Sequence, residues 1–152
     1  MVSYCACTEF MRDEPFYRRM LSNWPNLQAG LADRDAHIQF WSYEFKVHGS
    51  CSNYVPKIYL RKALDLKDKI DIFQALKAHR VVAGAAYQRS AFETAIKNRI
   101  GTTAFAMSCI NKNGTKILYE ITICTDAANA IPCSQRNHMS KDNCGKGNIK
   151  FE

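Results

Sequence analysis

Glu44 and His48 stand four residues apart in the run Phe40-Trp41-Ser42-Tyr43-Glu44-Phe45-Lys46-Val47-His48-Gly49-Ser50-Cys51. Positions i and i+4 share one face of a helix, so the carboxylate and the imidazole stack one turn apart. Tyr43 and Val47 stack in the same way on the next face. A carboxylate beside an imidazole orients the ring and favours its charged form, which suits general acid–base chemistry. The same spacing also describes an ordinary Glu–His pair on a helix surface, worth only ~0.2–0.5 kcal/mol, and spacing alone favours that reading. The other histidines, His37, His79 and His138, are isolated and read as solvated side chains. Asp65, Lys67, Asp68 and Lys69 read as the solvated face of a helix.

The elements that must hold these residues follow from periodicity. Phe16, Met20 and Leu21 lie at helical spacing with Pro15 in a first turn, and Pro25 disfavours helix at Trp24. Residues 26–37 are polar and irregular and read as a loop. Residues 38–48 read as a second helix, with Phe40, Trp41 and Phe45 as its apolar members and Gly49 ending it in a left-handed turn. Leu60, Ala63, Leu64, Ile70, Phe73 and Leu76 mark an amphipathic helix over 57–79, with a break near Leu66. Residues 88–99 give another helix, closed by Gly101. The period then falls from 3.6 to 2. Asn113-Gly114 joins two alternating runs, 105–109 and 117–124, into an antiparallel hairpin whose Ile117, Tyr119, Ile121 and Ile123 face one side. The stretch 132–152 reads as loop. Helices followed by a sheet segment give the class α+β.

The chain has 152 residues, which fits one domain over 1–152. No stretch approaches 18 uninterrupted apolar residues, so a membrane helix is excluded. A net charge of +7 suits a polyanionic partner such as nucleic acid, although charge alone favours the reading of a merely soluble basic protein. The seven cysteines, at 5, 7, 51, 109, 124, 133 and 144, include no C-x-x-C pair of the zinc or thioredoxin type. They read as a disulfide framework with one thiol left over, hence an oxidising compartment. Asn113-Gly114-Thr115 is an acceptor for N-glycosylation, which agrees with secretion. Met1–Phe10 lacks the apolar run of a secretory signal, so either a leader was removed or the chain starts downstream of the true beginning.

The run from Phe40 to Cys51 resembles the second active-site segment of the ribonuclease T2 family, F-W-x-H-E-W-x-K-H-G-T-C, at Phe40, Trp41, Glu44, His48, Gly49 and Cys51. Trp24-Pro25-Asn26-Leu27 resembles the W-P-x-L of the plant members. Ala63–Lys67, Ala95–Lys97 with Gly101, Leu118–Cys124, Ile131–Cys133 and Lys146–Phe151 are similar to further family motifs. The likeness is nearest to the plant self-incompatibility ribonucleases. It implies a T2-like antiparallel sheet packed with helices, and a secreted endoribonuclease. Such an enzyme cleaves RNA without metal or cofactor through a 2′,3′-cyclic phosphate. It implies His48 as general base, Glu44 as its electrostatic partner and Phe40 as a base contact. It also implies the bridges Cys109–Cys144 and Cys124–Cys133, with Cys51 bonded to Cys5 or Cys7. The expected partner is RNA, with neither membrane nor metal, and the expected state is a monomer.

The chain departs from the family pattern in three places. Tyr43 stands where the segment has its first His, and Val47 where it has Lys; Lys46 points about 100° away. The family's first active-site segment, H-G-L-W-P with its catalytic His, would lie before Cys5 and is absent from this chain. The expectation is therefore a domain incomplete at its N-terminus, with an unpaired sheet edge and a degenerate site. Its turnover is then weak, or it is an inactive homologue kept as a storage or interaction protein.

Overall fold

Asp13 opens the first helix, α1 (Glu14–Asn23), by accepting the Phe16 N–H with its carboxylate at 3.3 Å. The computed structural model describes residues 12–101, 105–126, 131 and 142–152. Two compact units divide between Lys69 and Ile70.

In the first unit, Asp33 caps α2 (Arg34–Glu44) through the Ala36 N–H at 3.0 Å. This helix starts four residues before its expected position, because Asp33 caps it and His37 turns inward rather than to solvent. A π-helical turn, Phe45–Gly49, continues it, and a 3-10 turn, Ser50–Ser52, follows. Gly49 does not end the helix in a left-handed turn. Its φ is −105°, and the left-handed residue is Asn53 at φ 60°. Helix α3 (Pro56–Ile70) completes the unit. Phe16, Tyr17 and Met20 of α1 close a core with Trp41 of α2 and Leu60 and Leu64 of α3. Arg19 holds Asp65 and Asp68 at 2.7 and 2.8 Å, and Lys57 holds Asp13 at 3.0 Å, so ion pairs fasten α1 to α3.

The second unit begins with α4 (Ile72–Ala78). The expected break near Leu66 lies at Asp71 instead. Its φ of 36° ends α3, and its carboxylate accepts the Gln74 N–H at 3.2 Å. That break changes the helical phase, so Phe73, expected inside, is 61% exposed. Strand β1 (Ala85–Gln88), helix α5 (Arg89–Ile100), β2 (Phe105–Lys112), β3 (Thr115–Ile123) and β4 (Asn148–Phe151) follow. The sheet order is β1-β4-β3-β2. β1–β4 and β2–β3 are antiparallel, and β3 meets β4 in parallel at Ile117 and Lys150. Asn113 and Gly114 both have positive φ, as the tight hairpin requires.

The β2–β3 register passes from Ser108↔Glu120 to Cys109↔Leu118, skipping Tyr119. This bulge turns Tyr119 outward, 71% exposed, where simple alternation expects it beside Ile121 and Ile123. Leu118 packs on the core in its place. The stretch expected to be loop holds β4, whose Ile149 is fully buried with Phe92, Ile96, Met107 and Cys144.

The outer edge of β2 is covered in part. The Asn143 N–H donates to the Met107 carbonyl at 3.1 Å, and the Asn143 side chain accepts the Cys109 N–H at 2.6 Å. Cys109 and Cys144 are disulfide-bonded. Cys124 is bonded as well, and Cys133, its expected partner, lies outside the described residues. Cys51 is a free, exposed thiol on the 3-10 turn rather than half of a bridge. Cys5 and Cys7, expected to meet it, lie outside the described residues, as does His138.

Candidate functional site

Trp41, Phe45 and Gly49 recur at intervals of four and are all buried. They fix the inward face of α2 and its π-helical extension, which sends Tyr43, Lys46, Val47 and His48 outward. Gly49 is required by space rather than by φ. A Cβ there would meet Cδ2 of Phe45 at 2.6 Å and the Tyr59 ring at 2.9 Å. Turns of the π type carry one extra residue per turn and recur at functional sites. Here the turn brings His48 Nε2 to 3.8 Å from Glu44 Oε2, with the carboxylate mostly covered and the imidazole 42% exposed.

The segment Trp24–Gln28 crosses α2 and makes a cavity of about 640 Å³ with it. Its far wall is Ala36, Gln39, Phe40, Tyr43 and Glu44. Phe40 stands edge-on to Trp24, ring centres 6.2 Å apart. Hydrogen bonds pin the crossing segment. Trp41 Nε1 donates to the Trp24 carbonyl at 2.6 Å, and the Asn26 N–H donates to Nδ1 of His37 at 3.0 Å. The Asn26 carboxamide donates to the Ala36 carbonyl and accepts the Gln28 N–H.

Of the residues singled out from sequence, Phe40, Tyr43 and Glu44 share this cavity. His48 stands behind Glu44 and does not itself line it, nor does Val47, which is 48% exposed. The arrangement offers an aromatic wall for a flat ring, a phenol and a carboxylate at one end, and an imidazole next to that carboxylate.

Sequence reasoning missed two residues near the site. Tyr59 packs edge-on against Phe45 at 5.6 Å, and its phenol is held above the usual range, first by burial and then by the nearby Cys51 and Glu44. His37, expected in solvent, is fully buried and stacked on Trp41 at 5.9 Å. A histidine flanked by Asp33, Arg34, Asp35 and Ala36 carries no local sign of burial. The segment folded across it decides the matter. Among the described residues no cluster of three or more His, Cys, Asp and Glu could hold a metal ion.

The family profile described as the Ribonuclease T2 family matches residues 2–134. Extracellular ribonuclease LE of Solanum lycopersicum is 33% identical over 113 residues, 72% of this chain and 48% of that protein. Ribonuclease S-7 of Nicotiana alata is 30% identical, over 99% of this chain and 71% of its own length. Among solved structures, RNase NT in complex with 5′-AMP superposes with a TM-score of 0.76 at 25% identity, covering 94% of this chain and 69% of that one. The self-incompatibility SF11-RNase of Nicotiana alata gives 0.72 at 27% identity, over 90% and 69%. The chain spans about half the length of the tomato relatives it matches, 48% and 53%.

Proposed function

Because this chain belongs to the ribonuclease T2 family, we propose that it binds RNA and cleaves it slowly at 3′,5′ linkages. One observation carries the proposal: a single cavity gathers Phe40, Tyr43 and Glu44, with His48 3.8 Å from Glu44. A base stacks against Phe40. His48 takes the 2′-OH proton, and the 2′-oxygen attacks phosphorus. The bond from phosphorus to the 5′-oxygen breaks, leaving a 2′,3′-cyclic phosphate. Glu44 balances the imidazolium so formed. Among the described residues no imidazole lines the cavity, and His48 is the one that stands beside Glu44; in this reading water protonates the departing 5′-oxygen. Loss of one such acid lowers the rate by roughly 10²–10⁴-fold. Tyr43 and Val47, where family members carry His and Lys, lower it further. The seven surplus positive charges attract phosphate along the surface.

Secretion, a glycan on exposed Asn113 and a single-domain, monomeric chain belong to the same proposal; an extracellular relative supports the first. A second reading is a catalytically inactive homologue serving storage or interaction. It is favoured by the exposure of Tyr43 (61%) and Val47 (48%), a phenol and an aliphatic side chain facing solvent where the family has His and Lys.

A ribonuclease assay beside extracellular ribonuclease LE decides between them. The expected result is turnover lower by roughly 10²–10⁴-fold, abolished in His48→Ala, with RNA affinity that falls steeply as salt rises. Salt-sensitive binding without any turnover supports the second reading. Turnover equal to the relative's, unchanged in His48→Ala, overturns the assignment of His48.

A further inference from the structure

His37 is a buried polar side chain that the chemistry above does not use. Its ring is fully buried, and among the described residues nothing partners Nε2. Buried polar groups in native proteins are nearly always satisfied, so an orphan of this kind calls for a reason. Nδ1 supplies one. The donor that meets it is the backbone N–H of Asn26, which cannot act as an acceptor, so Nδ1 must present its lone pair. The proton of the neutral ring is thereby forced onto Nε2, the atom left without a partner. Among the described residues nothing accepts that N–H, while the other ring nitrogen holds Asn26.

What is held at Asn26 is a wall of the cavity. From that residue the main chain continues through Leu27 and Gln28, both of which line it, and the Asn26 side chain bridges the Ala36 carbonyl and the Gln28 N–H. Trp41, the residue on which His37 stacks, holds the other end of the same wall at the Trp24 carbonyl. One stacked pair of rings on α2 therefore grips the crossing segment at two points. Among the described residues no carboxylate pairs with His37, so the grip works through a neutral lone pair and not through charge.

We infer that His37 is a positioning residue for the ligand cavity: its Nδ1 lone pair fixes Asn26, and with it the wall opposite Phe40, in the binding-competent arrangement. The inference rests on the reading of this cavity as the nucleotide site. Without the lone pair the segment samples other arrangements, and apparent affinity falls by the fraction that remains competent.

The test uses the whole chain, with 5′-AMP as the probe. Nitrogen-15 NMR of the wild-type imidazole is expected to show the proton on Nε2 and a free lone pair on Nδ1. Amide exchange at Asn26 is expected to be slow. In His37→Phe, which keeps the ring and removes the acceptor, Asn26 exchange should accelerate. Affinity for 5′-AMP should fall by about tenfold, the scale of one lost positioning hydrogen bond. In His37→Asn, whose side-chain oxygen can stand where Nδ1 stood, both should recover to within about twofold of wild type. A proton on Nδ1 in the wild type overturns the inference, and so does unchanged Asn26 exchange in His37→Phe. Loss of Asn26 protection that His37→Asn does not recover counts against it equally. If the wild type binds no 5′-AMP, the nucleotide reading of the cavity falls. The hold on Asn26 is then decided by the exchange data and the ring tautomer, which need no ligand and no variant that might misfold.

Discussion

Tyr43 and Val47 occupy successive turns on the outward face of α2 and its π-helical extension, beside the Glu44–His48 pair. Replacing both, as Tyr43→His with Val47→Lys, restores the ionisable pattern of the family's segment on a backbone already in place. RNA cleavage is expected to rise by ~10-fold to 10²-fold, short of an intact relative, as initial rates on a homopolymer would read. Gly49→Ala is expected to destabilise the first unit by about 1–3 kcal/mol, because the new methyl displaces the buried Phe45 ring and Tyr59. Both tryptophans, Trp24 and Trp41, belong to that unit, so a urea titration followed by tryptophan fluorescence reads the loss. At this scale the Glu44–His48 pair was legible because it depends only on helical spacing. Gly49 is special for a reason other than its φ: its need comes from the rings of Phe45, four residues before, and Tyr59, ten residues on. His37 was misread because its burial comes from a segment eleven residues earlier in the chain.

Elements with a long regular period, α1, α5 and the β2–β3 hairpin, were readable from apolar spacing and turn residues. Strands β1 and β4 span four residues each, too few for a period, and they exist because each pairs with the other. The break at Asp71 and the bulge at Tyr119 carry no glycine or proline to announce them. Asp142 shows how such elements are joined. Its carboxylate takes two hydrogen bonds from Arg89 at the start of α5 and one from the Met107 N–H of β2. Arg89 holds the Asp142 carboxyl below the ordinary carboxylate range. A depressed folded-state value stabilises fully above the unfolded value, about 4, and the contribution is lost as pH falls through the folded value. Stability of the second unit should therefore drop on acidification below pH ~4, and Asp142→Asn should flatten that acid limb. With the carboxylate 36% exposed, its contribution near neutrality is of the order of 1 kcal/mol. Amide exchange of β2 at pH 7 and pH 3 is the measurement. An equally steep limb in the variant would point to other carboxylates.

Each unit of the molecule has its own core, one all-helical around Trp41 and one around Phe92, Ile96 and Met107. The α+β class was legible because helices precede strands in the sequence. The sheet order was not, because β4 enters it from a stretch without pattern. The Cys109–Cys144 bridge secures that stretch, closing a sequence separation of 35 residues. Its loss in Cys144→Ser is expected to cost the second unit roughly 3–4 kcal/mol, on the loop-entropy estimate for that separation. Chemical denaturation with and without reductant checks it, and an unchanged midpoint would mean that the buried contacts suffice. The position of β4 bears also on synthesis. A ribosome delivers β1, β2 and β3 before β4, yet β4 lies between β1 and β3 in the sheet. Until Asn148–Phe151 emerges, the β2–β3 hairpin has a bare inner edge, β1 has no strand to pair with, and Phe92 lacks the Phe151 ring that packs against it. Until that strand arrives the second unit shows apolar surface and unpaired strand edges, the kind of surface that makes incomplete chains prone to aggregation.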